Sequence, residues 1–177
     1  LEATGTPDQE SPQMERGHPH PIEAEQQRSY IETFCVPRPP REFSRLGEDL
    51  AELNKLLQKT HPIERNVFFT YEGLHRLCET GGTLLIYRHQ GRILGMVARM
   101  NCHDGRAPFG IICHLAVGSS QSQEVEASLL QHIVDASKNA GLAWLQIEAE
   151  GMGHSGKLYR DTGFLWSAGN SVYTLKP

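Results

Sequence analysis

The sequence lacks the features that mark several large classes of protein. No apolar run approaches the roughly 18 residues that a membrane-spanning helix needs. The nine histidines show no H-E-x-x-H spacing and the cysteines no C-x-x-C pair, so we expect no metal site. Unpaired cysteines are typical of free thiols in a reducing compartment, and we expect a cytoplasmic protein that binds no membrane. The four cysteines are Cys35, Cys78, Cys102 and Cys113.

Positive charge is also scarce. The formal net charge is −4, and residues 1–27 hold six of the 21 acidic residues against a single base, Arg16. The rest of the chain is close to neutral, with fifteen acids and sixteen bases. A near-neutral domain offers no attractive field to a polyanion, so we expect no nucleic-acid partner.

The first residues also lack the large apolar side chains that a core requires. Residues 1–28 are rich in Glu, Gln, Pro and His, and they cannot bury enough apolar surface to offset the entropy lost on ordering. They show neither the basic nor the apolar region of a signal peptide. We predict a disordered acidic tail over residues 1–28 and one folded domain over residues 29–177. The tail is a candidate arm for a protein partner, and a homodimer is a further candidate assembly.

Residues 29–177 alternate between the strand and helix periodicities. Apolar residues spaced by three and four predict helices, and β-branched runs predict strands. In order, these are a strand over 30–36, helices over 43–59 and 71–79, strands over 83–88, 92–100 and 109–117, a helix around 125–134, a strand over 142–148, a helix over 156–160, and strands over 164–167 and 172–175. This order, β-α-α-β-β-β-α-β-α-β-β, predicts an α/β domain with a partly parallel sheet covered on both faces. The strand over 109–117 is apolar on both faces near its end, which predicts a central position.

Three segments in this order carry a more specific signal. They read QGRILGMV over residues 90–97, HLAV over 114–117 and LYRDTGF over 158–164. Together they resemble the GNAT superfamily of acyl-CoA-dependent N-acetyltransferases, over residues 29–177. The resemblance implies a GNAT-like mixed α/β fold and acetyl-CoA-dependent transfer to a small-molecule or peptide amine.

The resemblance also implies where acetyl-CoA would bind. In that family the central strand diverges from its neighbour and the cofactor lies in the gap; the corresponding residues are Leu115, Ala116 and Val117. The pyrophosphate would meet the backbone N–H groups at the start of the following helix. The matching loop residues are Gln121, Ser122, Gln123, Glu124, Val125 and Glu126. Ser155 stands at a small-residue position before the last helix.

The loop departs from the family pattern at two of these positions. Glu124 and Glu126 stand where the family has glycine or another small residue, and each brings negative charge towards a pyrophosphate. Acids stabilise a helix N-terminus without a ligand, and Ser120 with Gln123 fits a capping box. A second function therefore stays open, in which a GNAT-like domain has lost acyl-CoA binding and serves as a binding or regulatory module.

Three residues are candidates for the chemistry. Tyr159 matches the tyrosine that often protonates the departing thiolate in this family, although a tyrosine here can also be purely structural. His114 has a suitable pKa range for a general base, and Cys113 beside it leaves an acyl-cysteine route open. Because strand neighbours face opposite sides, only one of these two should face the gap. Glu148 and Glu150 are candidates for positioning an amine.

Overall fold

The computed structural model describes residues 28–34, 43–60, 69–118, 122–148 and 156–177. Within these residues the chain forms seven strands and four helices in the predicted order. The strands are β1 (Ser29–Thr33), β2 (Thr83–His89), β3 (Arg92–His103), β4 (Pro108–Val117), β5 (Leu145–Glu148), β6 (Leu165–Ser167) and β7 (Val172–Leu175). The helices are α1 (Phe43–Thr60), α2 (Tyr71–Glu79), α3 (Ser122–Asn139) and α4 (Gly156–Asp161). None of these helices is long and apolar enough to cross a membrane. The tail predicted over residues 1–28 lies, up to residue 27, outside the described residues.

All seven strands belong to one sheet, in the order β1-β2-β3-β4-β5-β7-β6. β4 and β5 are parallel, and every other neighbouring pair is antiparallel. The crossover between the parallel pair runs through α3, because parallel strands need a long connection. The predicted mixed sheet is confirmed, and β4 is its central strand.

Helices cover both faces of the sheet and create two cores. On one face, termed the α3 face, the apolar stripe of α3 and the buried side of α4 pack against the sheet. The other face, termed the α1 face, is covered by α1 and α2. Burying a large apolar side chain contributes roughly 1.5–3 kcal/mol, so these cores are the main source of stability. The α3-face core includes Ile112, Leu115, Leu129, Leu130, Ile133, Ile147 and Tyr159, and the α1-face core includes Leu53, Leu57, Leu74, Met96, Ala98 and Ala116.

Gly95 brings α3 close to the sheet. A Cβ atom at this position would lie 2.9 Å from a methyl of Val125 and 3.0 Å from one of Leu129. A larger residue would therefore push the first turns of α3 away from β3. The N–H of Gly118 donates to the carbonyl of Leu94 at 2.8 Å, so the chain leaving β4 is also tied to β3.

The strand predicted over residues 142–148 begins only at Leu145. Gly141 follows α3 with φ +71°, and the N–H of Leu142 donates to the carbonyl of Ser137 at 3.1 Å. This is the hydrogen-bonded turn that commonly ends a helix. The apolar side chain of Leu142 is therefore buried by the end of α3 and does not extend the strand.

A buried ion pair network joins α1 to the first two strands. Arg88 on β2 is 3% exposed and donates to both carboxylate oxygens of Asp49 on α1, at 2.7 and 3.1 Å, and to Glu32 on β1. Burial alone would lower the pKa of Arg88, but the hydrogen bonds and charges of these two carboxylates outweigh it and raise the pKa. The charged guanidinium thus holds α1 against the sheet.

A second buried guanidinium, on Arg99, lies between the ends of two helices. It donates to the Ser137 hydroxyl near the end of α3 at 2.8 Å. It also donates to the Gly81 carbonyl after α2 at 3.2 Å and to the Thr83 hydroxyl at 3.0 Å. Burial lowers its pKa, and no carboxylate within the described ranges pairs with it. The negative ends of two helix dipoles offset part of that cost.

Candidate active site

Among the described residues, the pairing of the parallel strands β4 and β5 stops before β4 ends. Their parallel pairing joins Gly110 to Leu145, and its last pair is Ile112 with Ile147, although β4 continues to Val117. Glu148, the next residue of β5, pairs with β7. Among the described residues, a gap therefore opens between the central strand and its parallel neighbour.

A β-bulge in β4 lies where the two strands part. Ala98 of β3 pairs with His114, and Arg99 pairs with Ile112, so Cys113 is an extra residue on β4. A bulge bends the strand that carries it. The bend therefore directs β4 away from β5 directly after their last pair.

The bulge also places Cys113 and His114 on the same face of the sheet. The Cys113 side chain packs against the α1-face core and its Sγ donates to the carbonyl of Ala98 at 3.4 Å. The His114 ring makes an edge contact with Phe69 at a centroid distance of 5.5 Å, and Phe69 packs against the same core. The expectation that only one of the two faces the gap rested on regular alternation, which the extra residue of the bulge interrupts.

After the bulge the regular alternation of β4 resumes. Leu115 is fully buried in the α3-face core, and Val117 packs against the same core. Ala116 is buried in the α1-face core. The three predicted cofactor residues thus line β4 beyond its last pair with β5, where the gap lies.

Burial raises the pKa of the Cys113 thiol to about 11. The thiolate, and not the thiol, is the nucleophile of a covalent mechanism. A thiol that stays protonated and donates to a backbone carbonyl is poorly suited to that task. The geometry therefore disfavours an acyl-cysteine route through Cys113.

We expect Cys113 to react slowly with an alkylating agent. With a pKa of about 11 instead of 9.0, it has about one-hundredth as much thiolate at about pH 8. In mass-spectrometric time courses with iodoacetamide, it should be modified about 100-fold more slowly in the folded than in the denatured protein. Cys102 on β3 provides an internal reference. Equal rates in the folded and denatured states would reopen the covalent route.

Tyr159 on α4 is buried in the α3-face core. Its ring lies 5.0 Å from the ring of Tyr173, which pairs with Ile147 where the gap begins. Its hydroxyl is buried and has no hydrogen-bond partner in the part of the chain that the structure describes. Burial raises the pKa of Tyr159, and the nearby Glu126 and Tyr173 raise it further. The hydroxyl therefore keeps its proton throughout the neutral range.

The residues around Tyr159 also have structural roles. Gly163 ends α4 with φ +99°, and its N–H donates to the carbonyl of Arg160 at 2.9 Å. Phe164 then returns into the core with 1% exposure. At the helix start, a Cβ atom on Gly156 would collide with the Tyr173 hydroxyl. These packing roles do not account for the Tyr159 hydroxyl, which is buried without a partner among the described residues.

The first turns of α3 carry the two acids that depart from the GNAT pattern. Glu124 is exposed, whereas Glu126 is half-buried and lies one turn before the buried Leu130. Glu126 contributes to the raised pKa of Tyr159, so its negative charge acts on that hydroxyl. Val125 is buried against the sheet and Gln123 is exposed. The remaining predicted residues, Ser120, Gln121, Glu150 and Ser155, lie outside the described residues, as does the side chain of Ser122.

A polar pocket of about 300 Å³ adjoins the end of β5. Leu145 and Ile147 of this strand are buried in the α3-face core, so the alternating Gln146 and Glu148 belong to the α1 face. Sequence reasoning identified Glu148 and assigned the terminal hairpin to the variable acceptor loops, but it named neither Asn170 nor Ser171, in the turn before β7, as a site residue. Chain order does not show that β7 pairs with β5, and that pairing brings the turn to this site. The pocket is lined by Gln146, Glu148, Asn170, Ser171 and Val172.

Solved structures of several acetyltransferases have the same architecture. Aminoglycoside 6'-acetyltransferase type Ii superposes with a TM-score of 0.62 and 14% identity, over 83% of this chain and 96% of that chain. The chain has the GNAT fold. A GNAT family N-acetyltransferase from Escherichia coli, in complex with CoA, gives a TM-score of 0.59 and 17% identity, over 85% of this chain and 82% of that chain. An acetyltransferase from Streptococcus agalactiae gives 0.63 and 11%, over 84% and 98%.

The GNAT resemblance of the three short segments is thereby confirmed at the level of the fold. No protein-family model and no curated protein matches the sequence. Within the described ranges, no cluster of three or more His, Cys, Asp or Glu side chains could hold a metal ion. The case for a function of this GNAT-fold chain therefore depends on the residues around the gap.

Proposed function

We propose that the chain is an acetyl-CoA-dependent N-acetyltransferase acting on a small-molecule or peptide amine. Two observations carry the proposal: the gap between β4 and β5, and the Tyr159 hydroxyl, which is buried without a partner among the described residues. The fold of acetyltransferases, one of them in complex with CoA and another, from Brucella melitensis, with acetyl-CoA, supports it. Leu115, Ala116 and Val117 along the gap would hold the acyl-bearing arm of the cofactor.

Tyr159 is suited to act as the acid of the reaction. When the amine nitrogen bonds to the acetyl carbon, the carbon–sulfur bond breaks and the sulfur needs a proton. The Tyr159 hydroxyl holds a proton at neutral pH and has no competing partner in the described core. A buried donor without a partner can direct its hydrogen bond at a sulfur placed in the gap.

His114 is the proposed acceptor of the proton that the amine loses. It lies on β4 directly after the bulge, on the α1 face, whereas Tyr159 lies on the α3 face. Acid and base thus belong to opposite faces of the sheet, and in this proposal both act on substrates held in the gap. This arrangement favours direct transfer of the acetyl group between two bound substrates, with no need for Cys113 as a nucleophile.

The start of α3 is the proposed site for the pyrophosphate. Its first N–H groups have no partner within the helix and favour an anion. The side chain of Glu124 is exposed, whereas Glu126 is half-buried and its charge acts on Tyr159 of α4. The proposed loop also includes Gln121, Ser122, Gln123 and Val125. We propose that Ser155 lies on the opposite side of the cofactor. We propose that the loop binds acetyl-CoA more weakly than a glycine-containing loop would.

The position of Glu126 also favours the second candidate function. A carboxylate beside the proposed phosphate site repels an anionic cofactor. A GNAT-fold domain that has lost acyl-CoA binding would serve as a binding or regulatory module. Titration with acetyl-CoA distinguishes the two functions.

We expect acetyl-CoA to bind and Glu126→Gln to increase its affinity roughly fivefold, because one repulsive charge is removed from a partly exposed site. Isothermal titration calorimetry at moderate ionic strength measures this. Glu124→Gln is the matched control, and its effect should be smaller because solvent screens an exposed charge. The Glu126→Gln substitution should also lower the pKa of Tyr159.

Two results would count against this account. Neither binding heat nor a thermal shift at millimolar acetyl-CoA would contradict the acetyltransferase and favour the binding module. Binding that is equally tight in the wild type and in Glu126→Gln would show that this carboxylate does not face the phosphates.

A further inference from the structure

The polar pocket at the end of β5 lies beside the gap on the α1 face. Glu148 directly follows Ile147, the last residue of β5 that pairs with β4. Across the gap, β4 presents the bulge with Cys113 and His114 on the same face. The pocket therefore shares a face with the proposed base, opposite the proposed acid.

The lining of this pocket suits a cation. The carboxylate of Glu148, the amides of Gln146 and Asn170 and the hydroxyl of Ser171 all offer hydrogen-bond acceptors. The single charge among these lining residues is negative, and no hydrogen bond or ion pair joins the side chain of Glu148 to another described residue. An ammonium group has N–H donors and a positive charge, whereas a carboxylate or phosphate would be repelled. The volume of about 300 Å³ lies at the lower end for small-molecule sites.

The backbone of the pocket is held in an uncommon conformation. Ser171 has φ +53°, in the left-handed region that residues other than glycine seldom adopt. The residue directly precedes Val172, which pairs with Glu148 across the strands. Strained residues of this kind concentrate at ligand sites, where surrounding contacts maintain them.

We infer that this pocket binds a cationic nitrogen of the acceptor other than the one that is acetylated. The attacking amine must be neutral to use its lone pair, whereas a neighbouring carboxylate favours the charged ammonium form. The nitrogen held by Glu148 is therefore not the reacting one. The acceptor class is a small molecule with two or more amino groups, such as a diamine or an amino sugar. This inference rests on the proposed acetyl transfer, and it adds to the acceptor a positively charged nitrogen that is not acetylated.

The test compares putrescine with n-butylamine, which has the same carbon chain and one amino group fewer. Nuclear magnetic resonance titrations without acetyl-CoA follow the side-chain amides of Gln146 and Asn170. We expect putrescine to bind roughly fivefold more tightly, the factor of a partly exposed ion pair. Glu148→Gln should remove this preference. Glu79→Gln, an exposed carboxylate on α2, which packs three strands away on β2, should retain it.

Equal affinities of the two amines for the wild type, or a preference that survives in Glu148→Gln, would overturn the inference. Because Glu148 is exposed, the variant should fold normally, which a thermal melt verifies. The outcome is separable from that of the acetyl-CoA titration. A Glu148-dependent preference without acetyl-CoA binding would support the cation site and contradict acetyl transfer. Acetyl-CoA binding without this preference would support acetyl transfer and contradict the cation site.

Discussion

Replacing Tyr159 with phenylalanine is expected to slow acetyl transfer by about 10²–10⁴-fold, the usual contribution of a general acid. The same change should leave the protein at least as stable. The lost hydroxyl is buried without a partner among the described residues, and burying such a group costs roughly 1–3 kcal/mol. Few substitutions of a buried tyrosine would affect activity and stability in opposite directions.

Release of the CoA thiol with a panel of amines, including putrescine, measures the rate, and thermal unfolding measures stability. Tyr87→Phe is the control, because Tyr87 packs against the same core from β2. Activity that persists in Tyr159→Phe would remove this residue from the proposed acid role. A melting temperature several degrees lower would instead show that its hydroxyl supports the fold.

The raised pKa of Tyr159 adds a pH signature to the same variant. Its folded pKa lies above the ordinary value of about 10, so its titration does not affect stability below that pH. As the pH rises from about 10 towards the folded pKa, the unfolded chain ionises first and the free energy of unfolding falls. Unfolding free energies measured above about pH 10 should therefore fall less steeply in Tyr159→Phe than in the wild type.

The second large effect concerns the ion pair network between α1 and the sheet. We expect Asp49→Ala to lower the free energy of unfolding by about 3 kcal/mol, near the lower end for breaking a buried ion pair. Among the described residues, Arg88 would keep Glu32, on the strand next to its own, and the Gly91 carbonyl, and its buried guanidinium would lose a bidentate partner. The melting temperature should fall by roughly 10 °C. Chemical denaturation measures the difference.

The exposed pair of Arg92 and Glu52 provides the comparison. It joins the same helix to the next strand, but its atoms are 4.0 Å apart and Arg92 is 78% exposed. Arg92→Ala should therefore cost no more than about 1 kcal/mol. Similar losses in Asp49→Ala and Arg92→Ala would mean that burial adds nothing to the Arg88 network.

The order of the elements could be predicted from the sequence because each carries a local signal. Leucines of α1 recur at helical spacing, β4 is apolar on both faces, and Gly141 marks the end of α3. The segment around Tyr159 could be recognised for the same reason. Its glycine, its buried aromatic residues and its short helix are specified by residues close in sequence, so the motif can be identified from the sequence alone.

The features that could not be predicted from the sequence depend on pairing between segments that are distant along the chain. The residues around Cys113 do not predict a bulge, because the bulge depends on the register in which β4 pairs with β3. Arg99 follows an apolar run in β3, and only the packing shows that two helix ends receive its charge. Asn170 and Ser171 look like ordinary turn residues until β7 is paired with β5.

The bulge at Cys113 has a consequence for how this architecture is encoded. Leu115 and Val117 would face α3, and Ala116 would face α1, in a regular strand that was one residue shorter. The hydrophobic pattern that specifies the two cores is therefore indifferent to the extra residue. What the residue supplies is the bend that parts β4 from β5. Different residues of β4 therefore specify the packing of the cores and the opening of the cleft. Deleting Cys113 is expected to close the cleft and to keep both cores.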